Sequence, residues 1–161
     1  MTKIYIVRHA EAEGNLYRRI HGQYDSLVTP RGMEQIKALA KRFESVHIDA
    51  VYSSDLCRTR TTAEAIYVPK GLKLITTPAL REIAMGEWED DMWGRIEVEC
   101  AEQYNYYNNC PDKWDIPGGE HWDDLCRRIT GAVLTIAEEN PDSFNPQGKP
   151  TEAGKAVIIK T

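Results

Sequence analysis

Four charged side chains have types and positions that suit one reaction. Arg8 and His9 follow directly on the apolar run 4–7, Arg58 lies just past a second apolar run, and Glu82 lies a few residues past a third. An imidazole flanked by guanidiniums suits attack on a phosphate. Arg8 and Arg58 each carry forked N–H donors that match phosphate oxygens. Their charge also favours a neutral, nucleophilic His9. A carboxylic acid, here Glu82, is of the type that protonates a leaving alkoxide. A histidine after a strand is more often an ordinary structural residue, and residue types alone leave both readings open.

The elements that must position these groups can be read from the chain. Residues 4–7 are β-branched and aromatic and read as a buried strand. Thr29-Pro30 reads as an N-cap followed by proline at the first helical position. Met33, Ile36, Leu39 and Phe43 then recur at helical spacing. A second strand is expected over 48–53, a helix over 56–66 with Ser54 as its cap, and a third strand over 72–76. Trp122, Leu125, Ile129, Val133 and Ile136 mark a long helix over 121–139, and 156–159 reads as a last strand. Strands alternating with helices predict an α/β fold with a mainly parallel sheet. In such sheets ligands bind beyond the carboxyl ends of the strands, where Arg8-His9, the segment 54–58 and the segment 80–82 converge. Residues 87–119 hold a run of acids (Glu87, Glu89, Asp90, Asp91) and several aromatics, with poor periodicity. They read as an excursion from the sheet, a lid or cap.

Composition narrows the function classes. The 161 residues carry 20 Lys and Arg against 25 Asp and Glu, a net charge of −5. A nucleic-acid partner is not expected from that balance. No stretch is apolar enough to span a membrane, and the N-terminal run is too short for a signal peptide. Cys57, Cys100, Cys110 and Cys126 form no CxxC pair and read as free thiols, which favours a cytoplasmic setting. The acids of 87–91 lack a His or Cys at ligand spacing, so no metal is expected. There is neither a G-x-G-x-x-G nor a P-loop segment, and no cofactor is expected.

Several segments together resemble the histidine phosphatase superfamily, the phosphoglycerate-mutase-like proteins. Val7-Arg8-His9-Ala10-Glu11 with Asn15 resembles its RHG signature. Gly22, Asp25, Thr29, Gly32 and Gln35 follow its next segment, and the segment 52–59 with Thr62-Ala63 follows the one after. Leu80-Arg81-Glu82-Ile83 with Gly86-Glu87-Trp88-Glu89 is similar to a fourth block, and Pro117-Gly118-Gly119-Glu120 to a fifth. The resemblance implies a single domain over 1–161, three-layered, with a mainly parallel sheet flanked by helices. It implies that His9 becomes phosphorylated, that Arg8, Arg58 and Asn15 hold the phosphate, and that Glu82 is the proton donor. The implied partner is a small-molecule phosphate ester. The oligomeric state is open.

Departures from the family pattern bear on function. Ala10 stands for the usual Gly, Ala12 for Ser or Thr, and His121 for the Ser or Thr that often follows G-G-E. The family also places a second catalytic His after a late strand, and no residue here matches it. The chain is therefore expected to be incomplete at its C-terminus, with His21 and His121 as candidate substitutes and His47 on the far edge. Three functions follow from the resemblance: phosphomonoester hydrolysis through phosphohistidine, mutase-type phosphoryl transfer, and phosphate-ligand binding with little turnover.

Overall fold

The computed structural model describes residues 3–141, 143–144, 150–152 and 155–160. Strand β1 (Lys3–Arg8) leads through helices α1 (Glu13–Tyr17) and α2 (Pro30–Phe43) to β2 (Ala50–Ser53). Helix α3 (Cys57–Tyr67) and β3 (Leu74–Thr76) follow, then α4 (Trp93–Glu99), α5 (Ala101–Asn109) and α6 (Trp122–Glu139). β4 (Ser143–Phe144) and β5 (Pro150–Glu152) pair antiparallel, and β6 (Lys155–Lys160) completes the main sheet. Among the described residues no helix is long and apolar enough to cross a membrane.

The main sheet runs β1-β6-β2-β3, with every pair parallel. β6 is inserted between β1 and β2, so Val157 lies opposite both Tyr5 and Val51. A strand covered on both faces has no polar side, which explains the unbroken apolar run at 156–159. Ala156 to Ile159 are at most 3% exposed. Val157 and Ile159 pack with Ile36, Phe43, Ala63 and Ile66 of α2 and α3. The alternate residues Ala156 and Ile158 pack with Tyr52, Leu80 and Ile136, the last from α6. The fold is therefore α/β in three layers, helix on sheet on helix, as expected.

Local details differ from the sequence reading in instructive ways. β1 has one neighbour in the described sheet, and Ile6 is 64% exposed, so it is an edge strand rather than a buried one. Thr29 caps α2 as expected, its Oγ1 accepting from Gly32 N–H at 3.0 Å, but Met33 faces outward. Ser54 does not cap α3. Its hydroxyl pairs with Thr59 Oγ1 at 2.7 Å, and the first helical N–H, that of Cys57, donates to Asp25 Oδ1 at 2.8 Å. The four cysteines are all free.

The 87–119 segment builds its own apolar cluster away from the sheet. Trp88, Ile96, Trp114 and Ile116 pack with Ile20, Ile83 and Met85. Three of the four acids near its start are absorbed by local bonds, and Glu87 is exposed. Glu89 Oε1 accepts from the N–H groups of Gln23 and Met85, Asp90 pairs with Arg19 at 2.9 Å, and Asp91 pairs with Arg95. The segment is then tied to the start of α6. At Gly86, φ is +50°, and a Cβ there would lie 2.2 Å from Pro117 O and 2.5 Å from Gly119 N. Only glycine permits that backbone approach, from which Glu87 N–H donates to Pro117 O.

Candidate active site

The carboxyl ends of β1 and β2 deliver the first two groups. Arg8 is the last residue of β1, and His9 begins the turn that follows. That turn is fixed from three sides. Ala10 N–H donates to Thr62 Oγ1 of α3 at 2.9 Å, Glu11 N–H donates to Gln35 Oε1 of α2 at 2.8 Å, and Thr29 N–H donates to Glu11 O at 3.0 Å. Thr29, Gln35 and Thr62 thus serve to hold the histidine loop. Asn15 Oδ1 accepts from Ala12 N–H at 3.0 Å, leaving Nδ2 without a protein partner among the described residues.

His9 Nδ1 lies 2.6 Å from Ala10 O. A carbonyl oxygen only accepts, so Nδ1 carries the proton and Nε2 the lone pair. Burial lowers the His9 pKa from 6.5 to about 4. The Ala10 carbonyl works against that shift, and the charges of Arg58, His21 and Arg8 add to it. The sequence reading expected a neutral imidazole held so by the arginines; the larger cause is burial.

Arg58, in the first turn of α3, is fully buried. One terminal nitrogen donates to Tyr24 O at 2.9 Å and the other to Gly22 O at 2.7 Å, while Nε has no partner. Burial pulls its pKa down, and the carboxylates of Glu82, Asp25 and Glu89 raise it from a distance. Among the described residues no carboxylate forms an ion pair with it. A buried guanidinium facing a cavity with an unused donor is arranged to receive an anion.

Glu82 follows a single 3₁₀ turn, Pro78–Leu80. Its carboxylate accepts from Ile83 N–H at 3.0 Å, and its carbonyl accepts from Gln23 Nε2 at 3.2 Å. The loop is clamped by Arg128 of α6. The Arg128 guanidinium holds Glu120 through two bonds of 2.8 and 2.6 Å and donates to Ala79 O and Arg81 O. Arg81 in turn makes a two-pronged pair with Asp55, which holds the Asp55 carboxyl below its usual range. Arg81 and Glu120, noted in the sequence only as motif letters, are the braces of this loop.

Arg8, His9, Asn15, Arg58 and Glu82 all line one cavity of about 170 Å³. His21 joins them, its ring centroid 6.1 Å from that of His9. His121 does not; it is exposed at the start of α6. His47 is exposed, as expected, and is bonded to Asp49. Sequence reasoning did not single out Arg19, Ile20 and Met85 on the wall. Trp93 and Tyr107 also stand there, donated by the 87–119 segment, whose aromatic content was the available signal. Burial and the Glu82 carboxylate together keep the Tyr107 phenol protonated.

An imidazole and a buried arginine meet at the carboxyl rim of a parallel sheet within a three-layer fold. The chain belongs to the histidine phosphatase superfamily (branch 1), whose family model matches residues 4–144. A relative from Photorhabdus laumondii, named probable phosphoglycerate mutase GpmB, is 38% identical over 136 residues, which is 83% of this chain and 62% of that one. A relative of the same name from Proteus mirabilis is 39% identical over 134 residues, 83% of this chain and 62% of that one. The chain thus spans less than two thirds of the length of these relatives. Among solved structures, Bacillus stearothermophilus YhfR is similar at a TM-score of 0.87 and 27% identity, covering 100% of this chain and 74% of that chain. A mycobacterial glucosyl-3-phosphoglycerate phosphatase, solved with VO3, shares the fold at a TM-score of 0.80 and 23% identity, covering 99% and 76%.

Proposed function

We propose that the protein hydrolyses a small phosphate ester through a phosphohistidine at His9. The observation that carries this reading is Arg58: fully buried, unpaired by any carboxylate among the described residues, with an unpartnered Nε–H, and lining the same cavity as the neutral imidazole of His9. In this reading Arg8, Arg58 and Asn15 grip the phosphoryl oxygens. His9 Nε2 attacks phosphorus as the bond to the ester oxygen breaks. Glu82 acts as the general acid that gives a proton to the leaving alkoxide. Water then attacks the phosphohistidine, Glu82 takes a proton from it, and phosphate leaves with the imidazole restored. Donors already aimed at the phosphoryl group need no reorganisation as charge develops.

The names of the relatives favour a second reading, phosphoryl transfer between hydroxyls of phosphoglycerate. The cavity offers little for a substrate carboxylate. Its cations are Arg8, Arg58 and Arg19, and Arg19 is held by Asp90. The test is an aryl phosphate given to the protein and quenched in alkali, since phosphohistidine is acid-labile, followed by peptide mapping. A parallel assay follows interconversion of 2- and 3-phosphoglycerate. A phosphoryl adduct on His9 with release of phosphate supports hydrolysis, and isomerisation supports the mutase reading. An adduct on another residue overturns both.

A further inference from the structure

His21 stands between two cavities. One holds His9 and Arg58; the other, of about 290 Å³, is lined on its far side by Glu13, Tyr17, Tyr24, Ser26 and Asp90. The ring is fixed on two sides. Ser26 Oγ lies 2.9 Å from Nε2, and α1 passes so close that a Cβ at Gly14 would lie 2.0 Å from the same nitrogen. Nδ1 has no hydrogen-bond partner among the described residues. Burial and the Arg58 charge take the ring from 6.5 down to about 4, so it is neutral near pH 7 while the cavity is empty. The charged groups around it are Arg8, Arg58 and Glu82 on the cavity side, Glu13 and Asp90 on the other, and Arg19, which lines both. Arg19 and Asp90 offset one another as a pair. Burial is the larger obstacle to protonation and Arg58 the charge that adds to it; a dianion bound to Arg58 offsets that charge and sets a negative group in the cavity that the ring lines.

On the reading that this cavity receives a phosphoryl group, we propose that His21, held by Ser26, is a second imidazole of the anion site. It takes up a proton from solvent as the dianion enters and lends its positive charge to the bound group. In the cation Nε2–H donates to Ser26 Oγ, which accepts it by rotation of its hydroxyl hydrogen. His9 keeps its proton on Nδ1 and its lone pair on Nε2, so the two imidazoles divide the work of charge and attack.

The test is calorimetry of sulfate binding to the full chain near pH 6, in buffers of different ionisation enthalpy. Sulfate stays a dianion throughout, so any proton taken up goes to the protein. The expected result is close to one proton per sulfate. His21→Gln should bind sulfate with uptake near zero. A second measurement needs no variant: ring-nitrogen NMR of the native protein should show His21, and not His9, moving to imidazolium shifts as sulfate is added. Sulfate binding without proton uptake, or uptake retained in His21→Gln, overturns the proposal while leaving the anion site intact. No binding of sulfate at all, with Arg58 present, overturns the reading of the cavity and this inference with it.

Discussion

Replacing Arg58 with methionine keeps the buried stem and removes the guanidinium. Two effects follow, and they separate. In the empty protein, Gly22 O and Tyr24 O lose charged donors worth about 1.5–3 kcal/mol each. The cost of burying a cation, of order several kcal/mol, disappears at the same time. Folding stability therefore changes by less than the lost bonds alone would suggest. With phosphate present there is no such compensation. Losing one charged hydrogen bond to the anion weakens binding by roughly 10- to 100-fold. At a phosphate concentration of about 100 times the native Kd, linkage stabilises the native protein by about 2.7 kcal/mol. The same concentration should stabilise the variant by only about 0.4–1.4 kcal/mol. For a chain of this size that is a thermal shift of roughly 5–10 °C against roughly 1–5 °C. Thermal melts of both proteins, with and without phosphate, read the difference directly. An undiminished shift in Arg58→Met would mean that the anion binds elsewhere and that the buried guanidinium merely ties Gly22 to Tyr24.

The folded state holds His9 and His21 near 4 rather than 6.5, so the unfolded chain gains protons first as pH falls. Their contribution to stability is full above about pH 6.5 and is lost down to about pH 4, up to about 3 kcal/mol for each ring. Urea midpoints at pH 7 and pH 4.5 should show the drop, and a His9→Gln, His21→Gln double variant should lose most of it. Gly86→Ala places a Cβ against Pro117 O in a positive-φ turn and should cost more than about 2 kcal/mol, measured by urea unfolding. Wild-type stability in that variant would mean the turn relaxes freely. Glu82→Gln should slow an alkyl phosphate by roughly 10²–10⁴-fold but spare a nitrophenyl phosphate, whose leaving group needs no proton. Equal losses on both substrates would make Glu82 a phosphate-positioning group.

The sheet and its rim were readable because local signals agreed with the tertiary outcome. Residues 156–159 are apolar on both sides, and only a strand covered on both faces suits them; Thr29-Pro30 caps α2 because the cap is local. The family-like segments placed Arg8, His9, Asn15, Arg58 and Glu82 together, and they share one cavity. What was hidden depends on distant partners. α3 is capped by Asp25, 32 residues away, so the nearer Ser54 was the wrong choice. α4 and α5 carry no clear apolar stripe because they pack on a local aromatic cluster rather than on the sheet. That same packing brings Trp93 and Tyr107 to the cavity wall, which spacing alone does not reveal. The acid run at 87–91 looks like a solvated face, yet Glu89 is a structural acceptor for two backbone N–H groups.

The place of β6 has a kinetic consequence. It is the strand that joins β1 to β2, yet it follows every other described element in chain order, and its pairings link Lys3 with Lys155 and Ala50 with Ala156. Contacts of such high sequence separation form late, because closing long loops comes before the gain from pairing. Until β6 inserts, the sheet does not join β1 to the β2–α3–β3 unit that carries Arg58, and the histidine turn has only bonds such as Ala10 N–H to Thr62 Oγ1 to hold it there. In a refolding experiment, helical signal should therefore recover first, and affinity for phosphate should return only with the slowest phase. The anion is then a probe for the last event in folding, and adding it early should slow unfolding without speeding refolding.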